Sequence, residues 1–207
     1  MNQKEAWNKF YLSSQWNKET GKLPNIIKNK IVLELGVGNG KTLQAIIRQK
    51  PREIHAVDFS EEAIKICKSN FKQKNIFFHR GNILSLAIER ESFDVVVCYY
   101  ILNNLNTKER KKAVREMRRI LKPSGFILFE DFSLSDFRLK NLKKVKKKGS
   151  FVKGNGIFIH GFKKSEVKSL FSGFKAKKIK EIIHSPFKVS KEKRVVISSI
   201  LQKPQNI

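Results

Sequence analysis

Short apolar runs alternate with stretches of helical periodicity from residue 31 to residue 130. The apolar runs predict strands, and the stretches between them, with apolar residues three or four apart, predict helices. Strands and helices that alternate in this way form βαβ units, so we expect a doubly wound α/β sheet with parallel strands and helices on both faces. The predicted strands are 31–35, 53–57, 75–79, 93–99 and 126–130, and the predicted helices are 41–49, 61–71 and 107–121. Ser60 and Thr107 are the expected N-caps of the last two helices.

Two further regions flank this core. In segment 3–17, Trp7, then Phe10 or Tyr11, and then Ser14 lie three or four positions apart, which predicts a short amphipathic helix. The segment also contains Trp16. This helix either packs on the sheet through its aromatic side chains or covers a ligand site as a lid. After residue 162, a helix over 163–171 and two strands over 174–184 and 194–201 are predicted to close the fold.

Glycines follow the first predicted strand at every second position. Glu34 ends the apolar run, and Gly36, Gly38 and Gly40 come next, directly before the first helix. Glycine adopts positive φ at little cost and lets a ligand approach the main chain, so this corner is a candidate nucleotide site. The dinucleotide fingerprint would need a glycine at Lys41, and a pyrophosphate is therefore not the obvious ligand. The alternative is a strand-to-helix turn without a ligand.

Polar residues also follow the next three predicted strands. Asp58 comes after the second strand, Asn82 after the third, and Asn103 and Asn104 after the fourth. Because ligands of such sheets bind beyond the carboxyl ends of the strands, these residues are expected on one edge of the sheet. A carboxylate at Asp58 suits the two hydroxyls of a ribose, and Asn82 suits an adenine amino group.

The chain is strongly basic. Its 207 residues include 44 Lys and Arg against 18 Asp and Glu, a net charge of +26. The excess is concentrated late in the chain, because residues 138–207 carry 20 basic and 3 acidic residues, with one Arg and six Lys in 138–148. A polyanionic partner such as a nucleic acid explains this charge, and a generally lysine-rich protein composition is the alternative.

Other features narrow the class of protein. The length and a hydrophobic content of 40% suit one domain with a full core. Cys67 and Cys98 do not form a C-x-x-C pair, so we expect neither a metal site nor a disulfide, and a reduced, cytoplasmic protein. No apolar run approaches membrane-spanning length, and the first residues lack the apolar core of a signal peptide.

The motifs together resemble those of class I S-adenosylmethionine (SAM) methyltransferases. The resemblance covers residues 31–130 and rests on five segments, which are Glu34–Gly40, Ala56–Ser60, Gly81–Ile83, Phe93–Val97 and Leu121–Gly125. It implies a Rossmann-like, mostly parallel seven-stranded sheet with an antiparallel C-terminal strand, and SAM as the cofactor. The implied cofactor-binding residues are Glu34, Gly36, Gly38, Gly40, Asp58, Phe59, Asn82, Ile83 and Tyr99, with Phe59 and Ile83 on the two faces of the adenine.

A narrower resemblance points to tRNA as the substrate. Residues 129–136 and 151–162 are similar to segments of the tRNA 3-methylcytidine methyltransferases, and 105–111 resembles the tRNA wobble-uridine carboxymethyl methyltransferases. The chain departs from the first family at five positions, which are Glu130 for Arg, Asn155 for Asp, Ile157 for Thr, His160 for Tyr and Gly161 for Phe. The resemblance implies a single domain with an aromatic helical segment at 1–30, a SAM-binding core at 31–130, a basic substrate-side insertion at 131–162, and a closing helix and hairpin at 163–207.

The reaction implied is methyl transfer to a base nitrogen, such as cytosine N3, on an RNA held by the Lys-rich segment 138–153 and the C-terminal third. A cytosine N3 already has a free lone pair, so alignment matters more than proton removal. Asp131 is the candidate catalytic residue, orienting the acceptor through its amino group, and a carboxylate that only stabilises a turn is the alternative. Two other functions remain open: methylation of a small molecule or a protein, and a non-catalytic RNA-binding or partner subunit.

Overall fold

The computed structural model describes residues 3–13, 23–145, 149–184 and 193–205. A seven-stranded sheet in the order β3-β2-β1-β4-β5-β10-β9 forms its centre. Strands β1 to β5 are parallel, and β10 runs antiparallel to both β5 and β9. These strands are β1 Ile31–Leu35, β2 Glu53–Asp58, β3 Ile76–Arg80, β4 Phe93–Tyr99, β5 Leu121–Phe132, β9 Lys175–His184 and β10 Arg194–Gln202. The expected Rossmann-like methyltransferase topology is confirmed, including the antiparallel strand near the C-terminus.

Helices cover both faces of the sheet. They are α1 Gln3–Ser13, α2 Lys41–Arg48, α3 Glu61–Asn70, α4 Thr107–Ile120 and α5 Lys164–Leu170. Apolar residues of α2 and α3 pack with β1 and β2 in one core, whereas α4 and α5 pack with β4, β5 and β10 in another. The parallel strands are therefore buried from both sides, which explains their almost continuous apolar sequence.

Side-chain caps fix where two of the helices begin. Ser60 accepts a hydrogen bond from the backbone N–H of Ala63 at the start of α3, as expected. For α4 the prediction was wrong, since Asn106 rather than Thr107 is the N-cap. Asn106 accepts from the backbone of Glu109, and the Glu109 side chain accepts from the backbone N–H of Asn106, which completes a capping box.

Other boundaries also differ from the predicted ones. Helix α1 is described over Gln3–Ser13, and residues 14–17 of the predicted segment, Trp16 among them, lie outside the described residues. Strand β5 begins at Leu121, directly after α4, instead of at 126, because Leu121 already pairs with Phe93 of β4. Helix α5 buries Val167 toward the core as expected.

A second, three-stranded sheet was not predicted. It consists of β6 Lys143–Lys144, β7 Ser150–Val152 and β8 Phe158–His160, paired antiparallel in that order. Its apolar side chains form a small core with α1, which contains Ala6, Leu139, Phe151, Ile157 and Ile159. The insertion after β5 and the N-terminal helix are thus one packed layer at the carboxyl edge of the sheet.

No described helix has the length and apolar character that crossing a membrane requires. The described His, Cys, Asp and Glu side chains form no group of three that could hold a metal ion.

Candidate active site

The three glycines after β1 all have left-handed backbones. Their φ angles are +69° at Gly36, +55° at Gly38 and +84° at Gly40, a region that side chains of L-residues rarely tolerate. Space is restricted as well, because a Cβ on Gly38 would lie 2.9 Å from the hydroxyl of Tyr11. The left-handed glycines therefore allow the backbone N–H groups of the turn to lie close to neighbouring side chains.

Asp58 connects this turn to the end of β2. One carboxylate oxygen accepts from the backbone N–H of Gly38 at 2.9 Å, and the other accepts from that of Ser60 at 2.9 Å. The side chain is buried, with 3% of the residue exposed. Burial raises the pKa of Asp58, while the hydrogen bonds from Ser60 and Gly38 lower it. Its position is thus fixed from two sides before any ligand arrives.

Glu34 lies in β1, directly before the glycine turn, and is also buried. Burial raises the pKa of its carboxyl well above the usual value, and the nearby charge of Asp58 raises it further. Its Oε2 has no hydrogen-bond partner among the described residues. An unsatisfied buried acceptor costs free energy, so this oxygen suits a donor from a ligand or a water bound in the corner.

A cavity of about 570 Å³ lies at the carboxyl edge beside these residues. Its volume is within the usual range of small-molecule sites, roughly 300–1,000 Å³. Phe59, which is 37% exposed, is one of its walls. The other lining residues are Trp7, Arg80, Gly81, Asn82, Leu84, Asn104, Leu105 and Glu109. The ends of β2 and β3 and the loop after β4 therefore meet at one cavity, as the sequence predicted.

The remaining predicted cofactor residues lie in three different surroundings: Asn82 at the cavity, and Ile83 and Tyr99 in the cores on the two faces of the sheet. Asn82 lines the cavity, and its Oδ1 accepts from the backbone N–H of Leu84 at 2.9 Å. Leu84 lines the wall, whereas Ile83 packs against the core that contains β4 and β5. Tyr99 is buried at the end of β4 in the core on the opposite face.

Helix α1 covers the corner. Asn8 accepts a hydrogen bond from the Ser60 hydroxyl at 2.6 Å, and Trp7 contributes to the cavity wall. The hydroxyl of Tyr11 lies beside Gly38, and its pKa is raised by burial and by Asp58. Helix α1 both packs on the core and covers the cavity. The two roles predicted for this segment, packing on the sheet and covering a ligand site, are therefore compatible.

Asp131 is fully buried, with 0% of its surface exposed. Its carboxylate accepts from the backbone and the side chain of Asn103, at 2.9 and 2.6 Å, and from the backbone N–H of Phe132. Burial raises the pKa of Asp131 to about 7, against the opposing effect of these hydrogen bonds. In this arrangement Asp131 holds the loop after β4 and has no surface open to an acceptor.

Glu130, the residue before Asp131, is half-buried. The hydroxyl of Tyr100 donates to its Oε1, and the guanidinium of Arg194 donates to the Tyr100 oxygen at 2.8 Å. Sequence reasoning missed this cluster. Arg194 is 94 residues from Tyr100 and meets it only because β10 inserts beside β5.

The basic segment 138–153 is only partly free for a partner. Arg138 is fixed, because Asp136 accepts from its Nε and Nη2 at 2.7 and 2.8 Å. Lys140, Lys143 and Lys144 are exposed, and Lys153 is half-buried. Residues 146–148 lie outside the described residues.

Comparison with known proteins agrees with this geometry. Residues 32–125 match the family described as methyltransferase domain. Over 90% of its length, the chain superposes on a SAM-dependent methyltransferase of Methanosarcina mazei with a TM-score of 0.72 and 22% identity, and covers 100% of that chain. The resemblance to SAM-dependent methyltransferases that the motifs indicated is confirmed.

Two curated relatives have narrower names. A tRNA N(3)-methylcytidine methyltransferase of Schizosaccharomyces pombe is 28% identical over 203 residues, which are 90% of this chain and 66% of that protein. A tRNA N(3)-cytidine methyltransferase of Danio rerio is 25% identical over 177 residues, 80% of this chain and 50% of that protein. The chain thus spans about half to two thirds of the length of these relatives.

Proposed function

We propose that this chain, whose residues 32–125 match the methyltransferase domain family, is a SAM-dependent RNA methyltransferase that modifies cytosine N3 in tRNA. The observation that carries the proposal is the cavity of about 570 Å³ at the carboxyl edge, whose wall includes Phe59, the residue after the fixed carboxylate of Asp58. The chain's similarity to tRNA N(3)-cytidine methyltransferases supports the choice of substrate.

The residues of the corner fit SAM. We assign the ribose hydroxyls to Asp58, the adenine to the space between Phe59 and Leu84 with Asn82 at its edge, and the amino-acid end to Glu34 and the turn of Gly36, Gly38 and Gly40. The unpartnered Oε2 of Glu34 is suited to an ammonium group. We keep Ile83 as a backbone contact and Tyr99 as a supporting residue. When bound, the cofactor supplies an electrophilic methyl group on a positively charged sulfur.

The chain's own residues then have three tasks. The roof of α1, with Trp7 and Tyr11, excludes water from the cofactor side of the site. The loop after β4 must present the acceptor nitrogen in line with the methyl group, because alignment is the main source of rate in such a displacement. Asp131 positions that loop through Asn103, so we assign it a positioning role instead of contact with the acceptor.

The basic surface provides the affinity for RNA. Lys140, Lys143 and Lys144 follow β5 and are exposed, and exposed lysines are suited to phosphate contacts, which supports assigning the RNA backbone to this segment. We further propose that the chain acts as a single methyltransferase unit in the cytoplasm, where the buried free thiols of Cys67 and Cys98 stay reduced.

The test is incubation of the protein with unfractionated tRNA and SAM that carries a labelled methyl group, followed by mass spectrometry of the nucleosides. Labelled 3-methylcytidine is the expected product. A different labelled nucleoside would keep RNA methylation and reject cytosine N3. Binding of SAM without transfer to RNA would favour a small-molecule or protein substrate, and no binding of SAM would favour a non-catalytic subunit.

A further inference from the structure

Two aromatic rings and two guanidinium groups form a cluster in which each member contacts the next. Arg138 lies 4.0 Å from the ring centre of Phe132, that ring is 5.4 Å from the ring of Tyr100, and Arg194 lies 5.3 Å from the Tyr100 ring. The four residues come from the ends of β4 and β5, the insertion, and the start of β10. RNA-binding proteins use such surfaces, in which bases stack on aromatic rings and cations contact phosphates.

Tyr100 is held in an unusual backbone conformation. Its φ is +58°, which is an outlier for a bulky side chain. The conformation is fixed by two contacts with one residue: the backbone N–H of Tyr100 donates to the carbonyl of Glu130 at 2.7 Å, and its hydroxyl donates to the Glu130 carboxylate. Strain that the surrounding structure maintains in this way is commonly found where a ligand binds.

The cluster adjoins the glycine turn of the proposed cofactor site. Ile101, the next residue after Tyr100, packs against Gly36, and Asn104 of the same loop lines the cavity. Lys41, which follows Gly40, has a pKa lowered by burial and by the charges of Arg194 and Arg138, with Glu130 acting in the opposite direction. The cluster therefore lies close to the glycine turn, among cations from separate parts of the chain.

We propose that Tyr100, Phe132, Glu130 and Arg194 form the subsite for the acceptor base, and that Glu130 recognises it by accepting a hydrogen bond from the exocyclic amino group of cytosine. This inference rests on the proposed function. Tyr100 uses Oε1 of Glu130, and the base would use Oε2. The amino group is adjacent to N3 on the cytosine ring, so a hydrogen bond to it fixes the position of N3. Uracil has a carbonyl oxygen at that place, which a carboxylate repels.

The carboxylate also matches the charge that the reaction creates. As the new bond forms between N3 and the methyl carbon, the bond between that carbon and sulfur breaks, and its electron pair stays on sulfur. The positive charge passes to the base and is shared with the amino group. A hydrogen bond from that group to Glu130 is therefore stronger in the transition state than before the reaction, which is the condition for raising kcat.

The experiment compares the full-length wild type with Glu130→Gln and Tyr100→Phe. Affinity for SAM is measured by calorimetry, and kcat and KM are measured with unfractionated tRNA. For Glu130→Gln we expect SAM affinity within about twofold of the wild type and a fall in kcat of about 10- to 100-fold, the loss typical of a hydrogen bond to a charged group. Tyr100→Phe keeps the ring and frees the carboxylate, so we expect a smaller fall in kcat.

Glu89→Gln makes the same change of charge at an exposed residue before β4, on the opposite edge, and is the matched control.

If Glu130→Gln keeps the wild-type kcat, the assignment of Glu130 is overturned. It is also overturned if weaker binding of SAM accounts for the whole fall in activity. If the wild type itself binds SAM but transfers no methyl group to tRNA, the proposed function fails first. The two failures are therefore distinguished by the wild-type measurement alone.

Discussion

The backbone N–H of Gly38 donates a 2.9 Å hydrogen bond to Oδ2 of Asp58. This bond joins two strand ends, since Gly38 follows β1 and Asp58 ends β2. It requires a left-handed residue in the turn and a buried carboxylate opposite, and both are present. The bond fixes the position of the carboxylate to which we assign the ribose hydroxyls.

Replacement of Asp58 tests that assignment directly. Asp58→Ala removes the acceptor for both ribose hydroxyls and releases the Gly38 turn, so we expect SAM affinity to fall at least about tenfold, because each lost hydrogen bond to a charged group is worth roughly 1.5–3 kcal/mol. Calorimetry with SAM measures the effect. Asp94→Asn is the control, since Asp94 accepts from the Ile31 backbone at the opposite edge of the sheet. Unchanged affinity in Asp58→Ala would remove Asp58 from the cofactor site.

The backbone of the glycine turn is tested by Gly38→Ala. A left-handed φ costs a non-glycine residue roughly 1–2 kcal/mol, and the new Cβ would also approach the Tyr11 hydroxyl. We expect a loss of stability of that size in chemical denaturation and weaker binding of SAM. Gly154→Ala is the matched control, because a Cβ there meets nothing within 4 Å. Equal stability of both variants would contradict the role given to the turn.

The raised pKa of Asp131 predicts a specific dependence of the free energy of unfolding on pH. Burial raises its pKa from 3.8 to about 7, so between these values the folded state holds a proton that the unfolded state has released. Stability contributed by this group is complete below about pH 4 and is lost as the pH rises through about 7. We expect the melting temperature of the wild type to fall between pH 5 and 8 and Asp131→Asn to remove that part of the slope.

Asp131→Asn should also be less stable at low pH, because its amide nitrogen cannot accept from the Asn103 backbone; the expected cost is about 1–3 kcal/mol. In Asp94→Asn the slope above pH 5 should persist, because hydrogen bonds and Lys122 lower the pKa of Asp94 despite burial. Identical pH slopes for the wild type and Asp131→Asn would show that Asp131 does not titrate in this range.

Salt dependence tests the phosphate contacts of the insertion. For tRNA binding, log Kd should rise linearly with log salt, with a slope of about 0.7–0.9 for each phosphate contacted. We expect the double variant Lys143→Ala, Lys144→Ala to bind more weakly and to have a smaller slope. The control is the double variant Lys72→Ala, Lys74→Ala, which removes two exposed lysines between α3 and β3, at the opposite edge. We expect it to leave the salt slope unchanged. Equal slopes for both double variants would exclude β6 from the RNA surface.

The fold and the cofactor edge were predictable because they depend on local patterns. Apolar strands alternate with helices, and Asp58 and Asn82 follow strand ends whose positions the pattern fixes. The capping of α4 by Asn106 was missed because Thr107 next to it is also a good cap by residue type alone.

The substrate side was harder to predict because it depends on distant contacts. The positive φ of Tyr100 leaves no mark in the sequence, and Arg194 reaches Tyr100 only through the pairing of β10 with β5. Asp131 and Glu130 are neighbours in a strand and point to opposite faces, so the sequence could not say which one is buried. The small sheet β6–β8 was missed because its strands have two or three residues each.

The most direct measurement is a crystal structure of the protein grown with S-adenosylhomocysteine. We predict density for the adenosyl group in the cavity between Phe59 and Leu84, with the ribose hydroxyls within hydrogen-bond distance of Asp58 and the amino-acid end on the turn of Gly36 to Gly40. Density for the ligand at another place, or a cavity without ligand density at saturating ligand, would contradict it.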